Sequence, residues 1–240
     1  NAGAYILKTS LFLQISKHKS LDFGKDLFPN WVKHHKFMGY VTMEYLKDMG
    51  TPDRLKQVQY DIDTKKDIRL HYDTKKPVIF LDRDGVINNN HHTYVTHPDE
   101  LILYDDIVDS IKKINKSHYL NILITNQPII ARNLANFETL ETIHNKLDTI
   151  LGKENAKIDA KYICPHHPDS GFPEENKAFK VDCDCRKPKP GLFKQAGDDH
   201  NIDFSNSFMI GDSWRDIAAS KQLGITSIGL KRGEGCKDKP

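Results

Sequence analysis

Residues 78–87 read V-I-F-L-D-R-D-G-V-I, an apolar run that stops at two aspartates with one residue between them. Four apolar residues, β-branched and aromatic among them, have the length and composition of a strand buried on both faces. Such strands belong to parallel sheets covered by helices, and open α/β sheets bind their ligands just past the carboxyl ends of the strands. Asp82 and Asp84 fall there. Two carboxylates this close repel unless a cation lies between them or they share a proton. The pair suits a divalent metal together with a carboxylate nucleophile and a nearby acid/base. A solvated turn also accounts for D-x-D-G.

The rest of the second half alternates strand-like and helix-like patterns. Residues 119–125 read Y-L-N-I-L-I-T, a second strand that ends at Thr125 and is followed by Asn126 and Gln127. Apolar residues at Ile107, Val108, Ile111 and Ile114 mark a helical face over 105–116, and Leu140, Ile143, Leu147 and Ile150 mark another over 137–151, with Asn136 as its cap. Residues 160–163 form a short strand, 192–200 and 215–223 helices, and 227–230 a last strand. Residues 208–216, F-M-I-G-D-S-W-R-D, add a strand ending at Asp212, with Asp216 four residues on. Lys187, in R-K-P-K-P-G-L, precedes a helix start at Pro190 and is suited to neutralise a phosphoryl group. Strand–helix alternation implies an α/β fold with a three-layer parallel sheet. Only about forty residues separate Asp84 from Thr125, and they already hold a loop, a helix and a strand. No large cap domain fits there, so the loops 88–105 and 164–185 shape access to an open site.

The cysteines carry a separate signal. Cys164-x-His166 is followed, after sixteen intervening residues, by Cys183-x-Cys185. Three thiols and an imidazole in two close pairs suit a closed tetrahedral Zn²⁺ site. The loop between them has little apolar periodicity, and a metal clip gives it a reason to be ordered. Free buried cysteines or a disulfide are the alternatives, and His167 is the alternative fourth ligand. Only four cysteines and no secretory pattern argue against a disulfide framework. Cys236 has no partner in the sequence.

Taken in order, D-R-D-G-V-I-N, T-N-Q, C-D-C-R-K-P-K-P-G and G-D-S-W-R-D resemble the four motifs of the haloacid dehalogenase superfamily of phosphotransferases, across about residues 76–230. The words are similar to those of the branch that holds heptose 1,7-bisphosphate phosphatases and histidinol-phosphate phosphatases. The resemblance implies a Rossmann-like, haloacid dehalogenase type sheet. It implies that Asp82 attacks phosphorus and that Asp84 serves as acid and then base. It implies Mg²⁺ held by Asp82, the backbone carbonyl of Asp84, and Asp212. Thr125, Asn126 and Lys187 would bind the transferring phosphoryl oxygens, and Arg186 would contact a remote phosphate. Asp216 would support the loop or Lys187; an ordinary first-turn helix acid is the alternative. The zinc loop also occurs in that branch. Zinc here would be structural, since no ligand position is left open, and it would position Arg186 and Lys187, which directly follow Cys185.

The first residues point elsewhere. N-A-G-A-Y-I-L at 1–7 is strand-like, and with L-D-F-G-K-D-L-F-P at 21–29 and G-Y-V-T-M-E-Y-L-K-D-M-G-T-P at 39–52 it resembles the end of a sugar-1-phosphate nucleotidyltransferase domain. In that family the matching asparagine, Asn1, contacts sugar and the matching aspartate, Asp48, helps bind Mg²⁺. The Gly-rich nucleotide loop of such a domain is absent, so no nucleotide transfer is expected. The chain reads as a C-terminal part of a longer bifunctional polypeptide: 1–60 a nucleotidyltransferase remnant, 61–76 a charged linker, 77–240 the phosphatase. An appendage packed on the phosphatase is the other reading. A remnant would leave Phe12, Leu13, Phe28, Trp31 and Phe37 without their natural partner.

A net charge of +2 gives no reason to expect nucleic acid or anionic membrane as partner, and no apolar stretch approaches a membrane span. A cytoplasmic enzyme acting on a small sugar phosphate is expected. The nucleotidyltransferase resemblance points to D-glycero-D-manno-heptose 1,7-bisphosphate losing its 7-phosphate. Histidinol phosphate, or a non-catalytic phosphosugar-binding domain, are the alternatives. Pro128–Asn133 lacks the glycines usual after T-N-Q, Thr93 stands where glycine is expected, and Ser213 stands where the heptose branch often carries lysine. His91 and His92 form an extra metal site or solvated loop.

Overall fold

The computed structural model describes residues 3–15, 20–40, 42–89, 94–169 and 175–238. Asn1, His91, His92 and Thr93 lie outside them. The apolar run becomes β1 (Val78–Leu81), in which Val78, Phe80 and Leu81 are buried. It lies at the middle of a five-stranded parallel sheet with β4 (Leu120–Asn126), β5 (Ala160–Cys164), β6 (Phe208–Gly211) and β7 (Thr226–Gly229), in the order β5-β4-β1-β6-β7. A two-stranded antiparallel ribbon, β2 (Asn88–Asn89) with β3 (Ile102–Leu103), follows the aspartates. Among the described residues no larger cap intervenes before β4, as the short spacing requires.

Side chains alternate between the two faces of the sheet. Leu81 pairs in register with Leu123, and both enter a core with Ile107, Ile111 and Ile114 of α4 (Ile107–Lys116) and Ile143, Leu147 and Leu151 of α5 (Phe137–Lys153). Phe80 turns the other way and meets Phe193 of α6 (Gly191–His200) edge-on, with ring centroids 5.0 Å apart. Each such fully buried side chain contributes about 1.5–3 kcal/mol. The caps follow the sequence: Asn136 accepts the Thr139 N–H at 2.8 Å, and Ser213 begins α7 (Trp214–Lys221) with Asp216 completing a capping box.

The chain leaves β1 for β4 on one side and returns to β6 on the other side of β1. Open sheets form a crevice at such a switch point, past the strand ends. Asp82 follows β1, Thr125 and Asn126 close β4, and Asp212 follows β6. Topology alone therefore converges four of the expected side chains.

Contact density divides the chain into Asn1–His71 and Tyr72–Pro240. The first unit contains helices α1 (Phe28–Trp31), α2 (Pro52–Asp63) and α3 (Lys66–Leu70). Among its described residues there is no strand, so the strand-like reading of the first seven residues is not realised over 3–7. Tyr5, Phe12, Phe23, Phe28, Trp31 and Phe37 form a ring cluster in which Trp31 is buried, while Ile6, Leu13, Met38 and Tyr40 remain exposed. Asp48 accepts the Gly50 N–H at 2.7 Å and pairs with Arg54. Residues 61–76, expected as linker, carry the end of α2, all of α3 and the approach to β1. No helix among the described residues is long and apolar enough to cross a membrane.

Phe193→Ala should lower the unfolding free energy by about 3–5 kcal/mol, read from urea denaturation. A loss under about 1 kcal/mol would mean that the two sheet faces are not joined to α6 through this ring.

Candidate active site

Lys187 is almost wholly buried, and its ammonium has three partners. Nζ lies 2.5 Å from Asp216 Oδ1 and 3.0 Å from Asp82 Oδ1, and donates to the Ile124 carbonyl at 2.8 Å. The segment that brings it there is clamped by Asn126: its Oδ1 accepts the Lys187 N–H and its Nδ2 donates to the Lys187 carbonyl, both at 3.1 Å. The Asn126 side chain thus holds the lysine backbone in this structure. Burial alone would discharge Lys187, but Asp216 and Asp82 more than offset it and raise its pKa above the ordinary lysine value.

The carboxylates respond oppositely. Burial pushes Asp82 up to about 7, Lys187 counters it, and Asp216, Asp212 and Asp84 add to the rise. Burial likewise lifts Asp212 to about 6, with the Glu234 N–H opposing and Asp216 reinforcing. Carboxylate oxygens of Asp82, Asp212 and Asp216 lie within 4.8 Å of one another. Asp82 Oδ1 and Asp216 Oδ1 are buried, and among the described residues the Lys187 ammonium is the one partner each meets. Crowded, under-bonded carboxylates at a strand end fit a hard divalent cation. The cradle is also close-fitting: Gly85 (φ +80°) and Gly233 (φ +59°) pack so near Asp212 that a Cβ on either would collide with its carboxylate. The Glu234 N–H donates to Asp212 Oδ2 at 2.7 Å, the Cys236 N–H donates to the Asp212 carbonyl, and Arg232 anchors the segment to the Val86 carbonyl.

Asp84 sits apart from the cation cluster. Its carboxylate accepts from Arg83 Nε and Nη2 at 3.1 and 2.9 Å, Asn88 Nδ2 at 2.9 Å and Gln127 Nε2 at 2.8 Å. Burial raises its pKa, but Arg83 and these donors outweigh burial and hold it below the usual carboxylate value. Its carboxylate is therefore engaged elsewhere, and it does not join the group of Asp82, Asp212 and Asp216. Gln127 also donates to Thr125 Oγ1 at 2.9 Å. The glycine-poor run after Gln127 turns tightly, with the Arg132 N–H on the Pro128 carbonyl at 2.8 Å, and Asn133 adopts the left-handed region at φ +56°. Asn tolerates that region better than most residues, which is why the turn survives without glycine.

Cys164, His166, Cys183 and Cys185 converge. Their sulfurs are 3.1, 3.2 and 3.6 Å apart, and His166 Nδ1 is 3.7 Å from Cys164 Sγ and 3.3 Å from Cys185 Sγ. A tetrahedral zinc site with thiolate bonds has edges of about 3.8 Å, so the donors stand somewhat closer together than in a filled site and would spread by a few tenths of an ångström around the ion. All are free thiols, far beyond bonding distance for a disulfide. His167 is turned away: its Nε2 is 3.1 Å from Arg132 and its Nδ1 accepts the Asp169 N–H at 3.2 Å. Arg186 donates to the His166 carbonyl at 3.0 Å, and burial, with Arg215 nearby, holds its pKa below the ordinary arginine value.

Several participants escaped the sequence reading. Arg83, between the two aspartates, and Asn88 and Gln127, beside the motifs, had an adjacency signal only. Gly233, Glu234 and Asp238 had none. Asp238 accepts from Ser213 Oγ at 2.6 Å and from the Trp214 N–H at 2.9 Å, a contact only folding creates.

The HAD-hydrolase-like family model matches residues 184–239. D-glycero-beta-D-manno-heptose-1,7-bisphosphate 7-phosphatase of Vibrio cholerae serotype O1 is 37% identical over 160 residues, covering 66% of this chain and 83% of that protein. The Escherichia coli K12 protein of the same name is 38% identical over 159 residues, with 66% and 81% covered. The crystal structure of D,D-heptose 1,7-bisphosphate phosphatase from B. bronchiseptica, complexed with magnesium and phosphate, superposes with a TM-score of 0.59 at 33% identity over 66% of this chain and 83% of that one. The chain belongs to the haloacid dehalogenase-like phosphatases, enzymes that hydrolyse phosphoric monoesters. Within them its strong similarity is to the heptose-1,7-bisphosphate 7-phosphatases.

Because Asp82 and Asp212 are raised, their contribution to stability is full below the ordinary aspartate pKa and is lost progressively as pH rises from there through about 6 to 7. A divalent cation offsets the charge that accumulates. The rise in Tm on adding Mg²⁺ should therefore be larger at pH 8 than at pH 5.5, and equal shifts at both pH values would refute the cation-cradle assignment.

Proposed function

We propose that the chain removes the 7-phosphate of D-glycero-D-manno-heptose 1,7-bisphosphate, the sugar named for its relatives. The observation that carries the hydrolytic part is the position of Asp82: past the central strand, beside the Lys187 ammonium, and crowded by Asp212 and Asp216. The choice of sugar rests on the similarity to the heptose phosphatases.

In this reading an Asp82 carboxylate oxygen attacks phosphorus, and the bond from phosphorus to the sugar oxygen breaks. Asp84 gives its proton to that leaving oxygen. Every side-chain partner of Asp84 donates to it, so it starts as a base; an arriving phosphoryl dianion raises its pKa and lets it carry the proton. Asp84 then deprotonates water, which attacks the aspartyl-phosphate, releases inorganic phosphate and frees Asp82. Lys187 and Thr125 would meet the phosphoryl oxygens, the ammonium giving up one of its present contacts to do so. Mg²⁺, held by Asp82, the Asp84 carbonyl and Asp212, would supply charge stabilisation for the transferring group. Zn²⁺ on Cys164, His166, Cys183 and Cys185 would fix the loop that delivers Arg186 and Lys187. Arg186, which forms no ion pair among the described residues, would take the remote 1-phosphate. The first unit is read as the remnant of a sugar-1-phosphate nucleotidyltransferase domain; its exposed Ile6, Leu13, Met38 and Tyr40 support that reading.

Mg²⁺-dependent phosphate release should favour the heptose bisphosphate over histidinol phosphate, and Asp82→Asn should abolish it on both. Preference for histidinol phosphate would overturn the choice of sugar, and turnover by the Asn variant would remove the aspartyl-phosphate route. Protein purified without chelator should hold about one zinc per chain; less than half an equivalent would count against the four-donor site.

A further inference from the structure

The buried face of α5 is apolar at Leu140, Ile143, Leu147 and Leu151, and one polar residue, His144, interrupts it. A buried imidazole needs a partner. Its Nε2 lies 3.3 Å from Nη1 of Arg83. Arg83 has no solvent exposure, and its opposite edge grips both oxygens of Asp84 through Nε and Nη2. Burial, followed by the Arg83 charge, lowers the His144 pKa to about 3, so the ring is neutral and Nε2 keeps its lone pair for the guanidinium.

We propose that His144 is a positioning residue for the acid/base carboxylate, acting through Arg83. A guanidinium gripped only along its Asp84 edge can pivot about that contact. A second anchor on the opposite edge fixes its plane, and the plane fixes where the Asp84 oxygens point. Proton transfer needs hydrogen-bond reach at the moment of reaction, so small displacements of the carboxylate cost rate more than affinity. His144 does not touch the substrate in this scheme. The inference rests on the role given to Asp84 in the proposed hydrolysis, but the anchor itself is a property of the folded chain.

The test compares His144→Leu, which keeps bulk and removes the acceptor, with His144→Gln, whose Oε1 replaces Nε2. Hydrolysis of the heptose bisphosphate and of p-nitrophenyl phosphate is measured together with Tm and the hydrogen exchange of the Arg83 Nε–H by NMR. For His144→Leu, kcat should fall about tenfold on the sugar with KM within about twofold, and Nε–H exchange should accelerate about tenfold or more. His144→Gln should stay within about threefold of the unsubstituted enzyme in kcat and retain the protection. Unchanged exchange in the Leu variant would overturn the anchor. Equal losses in both variants, following Tm, would make His144 a packing residue and overturn the proposal as well. If the unsubstituted chain releases phosphate from neither compound, the proposed hydrolysis fails, while the exchange comparison still decides whether His144 holds Arg83.

Discussion

The buried ammonium of Lys187 is the interaction on which the site depends. It joins the end of β1 through Asp82, the last turn of β4 through the Ile124 carbonyl, and the first turn of α7 through Asp216. Taking a lysine and two carboxylates out of water is costly, and the mutual attraction returns that cost only when every donor is used. Here all three ammonium protons have an acceptor within reach. Such a triad adds little net stability over apolar packing, but removing one member leaves an uncompensated charge worth about 3–5 kcal/mol. Its value lies in orientation: three strand and helix ends that carry chemistry cannot drift apart without breaking it.

What delivers the lysine is a short, closely folded segment. Cys183 and Cys185 join Cys164 and His166, and two residues later Asn126 clamps the Lys187 backbone from both sides. The chain then doubles back, with the Gly191 N–H on the Asp184 carbonyl at 2.9 Å, an approach too close for any side chain at Gly191. A loop with almost no apolar content is thereby tied at one end to the sheet and at the other to α6. On the far side of the crevice, residues 232–236 press backbone donors and Gly233 against Asp212. The two walls hold opposite charge: Lys187 and Arg186 on one, the carboxylates on the other.

The two motif aspartates, one residue apart, illustrate how environment divides one residue type into two functions. Asp82 sees burial and three other carboxylates, and stays high; Asp84 sees Arg83, Asn88 and Gln127, and stays low. In the absence of a cation and a phosphoryl group, the split leaves Asp84 the more readily ionised of the two. Arg83 lies within D-R-D-G and Asn88 close after it, but Lys187, Asp212 and Asp216, which set the Asp82 environment, come from distant parts of the chain.

Read alone, the sequence determined the strand–helix alternation, the absence of room for a large cap, the strand-end carboxylates and the pairing of Cys164-x-His166 with Cys183-x-Cys185. These follow from local periodicity and spacing, which the chain carries without reference to any distant residue. It missed that residues 3–7 form no strand, since a strand depends on a neighbour that no local pattern supplies. Tertiary structure alone decided that His166 rather than His167 faces the thiols, and that Asn126 grips Lys187. It also decided that Asp216 serves the lysine and that Asp238, Gly233 and His144 stand around the site. Each of those assignments depends on which side chains long-range packing brings within 3 to 4 Å, and no spacing along the chain encodes that distance.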